Sequence, residues 1–91
     1  MNEEIRRGEE AQRLLDEPIL KEAFEAIELT FIDKLKRIDV GATEAQRDLI
    51  VSLQLLNKVK KYIEEVATTG KLAKLTEEQE GWRDKVKRHF R

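Results

Sequence analysis

The fold of this chain is decided by residues 18–69, PILKEAFEAIELTFIDKLKRIDVGATEAQRDLIVSLQLLNKVKKYIEEVATT. The stretch holds two long amphipathic segments, from residue 18 to about 39 and from 43 to about 69, separated only by Val40-Gly41-Ala42. In each segment the apolar residues recur every three or four positions, which is the spacing of one helix face. A connection this short makes neighbouring helices antiparallel, so the sequence predicts an antiparallel helical hairpin. The two predicted stripes are Leu20, Phe24, Ile27, Phe31, Leu35 and Ile38, and then Leu49, Leu53, Leu56, Val59, Ile63 and Val66.

Residues that start and stop helices support these boundaries. Pro18 suits the first turn of a helix, where its missing N–H is not needed. Thr43 and Gln46 form a capping box, in which the hydroxyl accepts a backbone hydrogen bond and the amide side chain reaches back. Gly70 is placed to end the second helix in a left-handed conformation.

A short helix is predicted before the hairpin. Asn2 can cap it, and Glu3 and Glu4 suit its first turn. Gly8 weakens this helix by about 1 kcal/mol relative to Ala. We expect the helix to end near Asp16, just before the proline.

A second short helix is predicted after the hairpin, because Thr76 and Gln79 form another capping box. The expected fold is therefore all-α, a hairpin of about 18–39 and 43–69 flanked by a short N-terminal and a short C-terminal helix. We expect residues 1–75 to form a hairpin domain that includes the N-terminal helix. Residues 76–91 would be a basic amphipathic helix, either packed on the hairpin or mobile.

Composition narrows the class of protein. Just over half of the residues are Ala, Glu, Lys, Leu or Arg, the composition of long helices. The formal net charge is −1 and there is no cysteine, so neither a general affinity for nucleic acid nor a disulfide framework is indicated. The acidic N-terminus has no apolar core typical of a signal peptide, and no apolar run is long enough for a membrane span. We expect an intracellular protein, in host cytoplasm or a virion, that is not secreted and does not act at a membrane.

No motif for catalysis or cofactor binding stands out. Glu22, Glu25 and Glu28 share a helix flank, but the single histidine, His89, is not in a Glu-x-x-His motif of the kind that completes di-metal sites in helical bundles. The single serine, Ser52, has no glycine-rich turn beside it. We therefore expect a protein that is not an enzyme, with no cofactor, no metal and no small-molecule substrate.

Apolar residues outside the main stripes predict contact with a partner. A second, weaker apolar strip on a helix indicates that it touches more than one neighbour. The expected partner is a second copy of the chain, another protein, or both. Asn57, near the stripe, would either fix the register of such an interface or lie exposed. The predicted interface residues are Ile19, Ile32, Leu55, Tyr62, Trp82 and Phe90.

The C-terminal tail, residues 82–91, has three readings. Its basic residues follow acidic ones at 77, 78 and 80, which complements the helix dipole, and its apolar stripe could dock on the hairpin. A second interpretation is that the tail docks on another protein. Basic residues with interleaved aromatics also grip phosphates and stack on bases. In that case the nucleic-acid contacts would be Lys85, Lys87, Arg88 and Arg91.

Three stretches of the chain carry a resemblance to a known group of proteins. They are Arg7-Gly8-Glu9-Glu10-Ala11, the run from Leu14 to Phe24, and Thr69-Gly70-Lys71-Leu72-Ala73. They resemble small helical proteins encoded among the capsid, portal and packaging genes of tailed bacteriophages. The resemblance implies a non-enzymatic virion or assembly protein that works through helix–helix contacts. The alternatives are an accessory of DNA packaging that binds nucleic acid through its tail, and a small inhibitor of a host protein.

Overall fold

The computed structural model of the chain describes residues 2–89, with side chains described as far as Lys87. Three helices make up this part of the chain: α1 (Glu3–Asp16), α2 (Pro18–Arg37) and α3 (Thr43–His89). No strand occurs among the described residues, so the prediction of an all-α protein is confirmed. The molecule is a rod with extents of 75 × 24 × 17 Å.

The first two helices begin where local chemistry predicts. The side-chain oxygen of Asn2 accepts a hydrogen bond from the Glu4 N–H at 2.8 Å, which caps α1. Glu17 is extended and Pro18 is the first residue of α2, because a residue before proline avoids the helical region. The chain therefore turns at one residue between α1 and α2.

A short turn joins α2 to α3 and is held by Gln46. The side-chain amide of Gln46 donates to the carbonyl oxygens of Asp39 and Val40, both at 3.0 Å. The predicted capping box is therefore wrong: the Gln46 N–H donates to the Ala42 carbonyl at 3.0 Å and not to the Thr43 hydroxyl, and the Gln46 side chain reaches back to carbonyls of the turn. These two bonds tie the first turn of α3 to the turn that precedes it.

The predicted break after residue 69 is wrong, because α3 continues without interruption through Gly70 and Thr76. No described residue has the positive φ that a left-handed cap requires. The Thr76 hydroxyl donates to the Leu72 carbonyl at 3.0 Å, inside the helix, so it does not cap a new one. Residues 71–75 between them are good helix formers, and none of them is a residue that ends a helix. The expected separate C-terminal helix is therefore the last part of α3.

The crossing of α1 and α3 forms the core, and two glycines make it possible. A Cβ added to Gly8 would lie 2.6 Å from the Gly70 Cα, and one added to Gly70 would lie 2.6 Å from the Gly8 Cα. The two backbones therefore touch at this point, which only glycine permits. Around them the buried apolar residues of the structure are Ile5, Ala11 and Ala67.

Helices α1 and α2 lie one after the other along α3. Gly8 meets Gly70, Leu15 shares a groove with Glu64, and further along Ile32 shares one with Leu53. As residue numbers rise along α1 and α2, those of their neighbours fall along α3. Residues 75–89 extend beyond the start of α1 by about 22 Å, at 1.5 Å per residue. All of residues 74–85 are exposed.

We predict that Gly70→Ala displaces α1 from α3. The added methyl group would clash with backbone, so the free energy of unfolding should fall by about 1–3 kcal/mol, the usual cost of overpacking. Thermal unfolding followed by circular dichroism measures the loss. Gly81→Ala is the matched control, because Gly81 lies in the same helix with nothing within 4 Å of its added Cβ. That change should preserve or raise helicity; equal destabilisation by both variants would contradict the backbone contact.

Candidate interaction surface

The most apolar helix of this molecule is not among those with buried residues. Half of the residues of α2 are apolar, yet none of them is buried. Helix α1 is largely charged, yet it supplies Ile5, Gly8 and Ala11 to the core. An apolar helix surface that no neighbour covers within the chain indicates a binding surface.

The total accessible surface is also larger than that of a compact chain of the same mass. It is 7856 Å² for this chain of 10.7 kDa. A compact monomer of this mass exposes about 5,500 Å². The excess, about 2,300 Å², is well above the roughly 800 Å² that each partner contributes to a standard protein interface.

Part of this exposed surface consists of one row of residues on α2 and one row on α3, and we call the two rows together the apolar ribbon. On α3, Leu55, Val59 and Tyr62 follow each other at steps of four and three, and are 58%, 54% and 60% exposed. On α2, Ile19, Ala23, Ala26 and Thr30 follow at steps of four, three and four, and all are exposed. Steps of three and four keep each set on one helix face. The ribbon consists of Ile19, Ala23, Ala26, Thr30, Leu55, Val59 and Tyr62.

Both halves of the ribbon lie on the same flank of the α2–α3 seam. The opposite flank is marked by a groove between the two helices, where Glu28 and Ile32 of α2 lie with Asn57 and Lys60 of α3. On each helix the ribbon residues are offset from the seam in the other direction. The seven ribbon residues are uncharged, but Tyr62 at the end of the ribbon shares a groove with Glu4, Arg7 and Glu65.

The predicted interface residues do not all fall on this ribbon. Ile19, Leu55 and Tyr62 lie on it. Ile32 is half-buried in the groove on the opposite flank. Trp82 lies apart from all of them, 67% exposed on the extension of α3. Phe90 is outside the described residues.

Four ribbon members are not among the predicted interface residues: Ala23, Ala26, Thr30 and Val59. The sequence pattern places Val59 in the inner stripe of α3, but the structure leaves it half exposed. Ala23, Ala26 and Thr30 are small, and small side chains give a weak apolar signal. The pattern that identifies Val59 is the second row of three-and-four steps through Leu55 and Tyr62, and the pattern that identifies the other three is the row with the same steps that begins at Ile19.

The predicted nucleic-acid contacts lie on the extension of α3. Lys85 and Lys87 are exposed there. The side chains of Arg88 and Arg91 are outside the described part of the chain. Acidic residues at 77, 78 and 80 precede these bases in the same helix. The extension therefore has a negative first part and a positive last part.

The charged side chains form local pairs along their own helices. Arg6 pairs with Glu3 and with Glu10, the latter at 2.8 Å, and Arg37 pairs with Asp33 at 3.3 Å. The hydrogen bond from Arg6 lowers the pKa of Glu3, and the same bond raises the pKa of Arg6. What the pair adds to the stability of α1 is present above the ordinary pKa of Glu3 and is lost as the pH falls through the lowered value. The pair is exposed, so salt screens it.

The candidate metal ligands and the single serine are not brought together among the described residues. No group of three or more His, Asp or Glu side chains within this part of the chain could hold a metal ion. The Ser52 hydroxyl donates to the Asp48 carbonyl at 2.8 Å, so it is engaged inside the helix.

Comparison with protein-family models, with curated proteins and with solved structures finds no match to this chain. Over the part of the chain that the structure describes, no helix has the length and apolar character needed to cross a membrane.

We predict that Trp82, the single tryptophan, emits as a water-exposed indole when the chain is alone. Its position on the extension of α3 leaves it without a neighbouring helix. Fluorescence with a neutral quencher such as acrylamide measures its accessibility. Efficient quenching is the expected result; a blue-shifted, poorly quenched emission at high dilution would mean that the extension folds back onto the rod.

Proposed function

We propose that this chain is a non-enzymatic helical protein–protein interaction module. In this proposal α2 and α3 form an antiparallel hairpin whose apolar ribbon binds another protein chain. One observation carries the proposal: the most apolar helix, α2, has no buried residue in the isolated chain. Burying a side chain of the size of leucine is worth about 1.5–3 kcal/mol, so several such residues supply a substantial driving force for binding.

The proposed setting is the structural or assembly machinery of a tailed bacteriophage. Its support is the resemblance carried by residues 7–11, 14–24 and 69–73. Inhibition of a host protein would use the same ribbon and differs only in the partner.

The interaction role predicts that the purified chain either associates or, as a monomer, binds an apolar dye. The reason is that the exposed ribbon is available to any apolar partner. Sedimentation across the micromolar range measures the mass, and 8-anilinonaphthalene-1-sulfonate fluorescence measures the exposed apolar surface. A monomer throughout this range that leaves the dye dark would refute the proposal.

A nucleic-acid role is the second candidate, and the extension of α3 favours it. Lys85 and Lys87 project on a part of the helix that no other helix covers, so a phosphate backbone could reach them. Trp82, exposed on the same extension, could stack on a base.

This second role predicts binding to DNA that weakens steeply with salt. Replacing both Lys85 and Lys87 by Gln should flatten the slope of log affinity against log salt by about 1.8, for two phosphate contacts. Lys58→Gln with Lys61→Gln is the control, since it removes the same charge from exposed positions elsewhere on α3. Absence of binding at low salt, or equal effects of the two double variants, would exclude the tail as a DNA contact.

A further inference from the structure

We infer that the partner of the apolar ribbon is a second copy of this chain, docked about a two-fold axis parallel to the helices. This inference rests on the proposed interaction role and names its partner. The dimer would be a four-helix arrangement in which α2 of each copy lies over α3 of the other. Every neighbouring pair of helices would then be antiparallel, the geometry of up-down bundles.

The sizes of the ribbon residues are self-complementary. The α2 half carries small residues at its centre, Ala23 and Ala26, while the α3 half carries the large residues Leu55, Val59 and Tyr62. A two-fold axis along the helices puts the large half of each copy on the small half of the other. An isologous interface requires this match of one patch with itself.

The register of the two halves also agrees with this axis. A rotation about the helix direction keeps every residue at its own height along the rod. The shared grooves place Phe24 at the height of Leu56 to Lys60 and Leu20 near Lys60 and Glu64. Each ribbon residue of α2 therefore meets the α3 residue that lies beside it in its own chain. The resulting contacts pair Tyr62 with Ile19, Val59 with Ala23, and Leu55 with Ala26 of the second copy.

Charge and area both permit this partner. The ribbon has no acidic or basic side chain, and the whole chain has a net charge of −1, so like-charge repulsion between copies is small. The whole rod, including the exposed extension of α3, has about 2,300 Å² more accessible surface than a compact monomer of its mass, and a standard interface uses roughly 800 Å² per chain.

Cross-linking tests the register directly, because the chain contains no cysteine. The double variant Ala23→Cys with Val59→Cys should form a covalent dimer under mild oxidation, seen on a non-reducing gel. The control, Glu22→Cys with Lys58→Cys, places thiols one residue away at the same heights but on the outer surfaces. We expect far less covalent dimer from the control. Equal yields from both pairs would overturn the proposed register.

Inserting a charged side chain tests whether the ribbon is the surface through which the two copies bind. Leu55→Lys should raise the dimer dissociation constant by about 100-fold, because it buries an unpaired charge at the interface. Leu29→Lys is the matched control: Leu29 is 65% exposed against 58% for Leu55, but lies outside the ribbon. Sedimentation gives the dissociation constant, and circular dichroism shows whether helicity falls with dissociation. Equal effects of the two variants would place the contact elsewhere.

These outcomes separate this inference from the interaction role on which it rests. A dimer that Leu55→Lys leaves intact, or a monomer that binds the apolar dye, overturns the second copy at the ribbon but keeps the interaction role. A monomer that does not bind the dye overturns both. A dimer that is lost in Leu55→Lys, kept in Leu29→Lys and trapped by the Ala23–Val59 cysteine pair supports both.

Discussion

The backbone contact between Gly8 and Gly70 is the constraint on which the rest of the structure depends. It brings α1 closer to α3 than side chains would allow, and around it lie the buried Ile5, Ala11 and Ala67. Close packing of small residues holds α1 in one position on α3, although most residues of α1 are charged. It also explains why α3 passes straight through Gly70, since a helical glycine is what the crossing requires there.

This arrangement concentrates the buried residues where α1 crosses α3 and leaves none on α2. Helix α2 packs against α3 through half-buried side chains such as Phe24 and Phe31. Its other apolar residues, which include Ile19 and Leu29, are exposed. Folded domains are stable by only about 5–15 kcal/mol, so covering even a few of these side chains is a large fraction of the total. In the proposed interaction role, the chain gains stability when another helical surface covers α2.

Sequence reasoning succeeded where a structural feature depends on nearby residues alone. Asn2 caps α1 and Pro18 begins α2 because capping and proline geometry act within one turn. It failed at Gly70 and Thr76, because a glycine or a threonine is compatible with both a helix end and a helix interior, and the deciding contact comes from Gly8, distant in sequence. The small residues Gly8 and Ala11, and Ala67, Gly70 and Ala73, recur at steps of three on both helices, and this pattern could have revealed the crossing. The sequence predicts only part of the ribbon, because alanines such as Ala23 and Ala26 occur on exposed and buried helix faces alike, and only the structure shows that they are exposed.

Amide hydrogen exchange measured as a function of protein concentration tests the central claim most directly. The claim is that α1 and α3 are held together within one chain, whereas α2 is completed by a partner. The account predicts strong protection near Ala67 and Gly70 at every concentration, and protection of α2 that increases as the concentration rises. Protection of α2 equal to that of the crossing at the lowest concentration, and unchanged at higher ones, would contradict it.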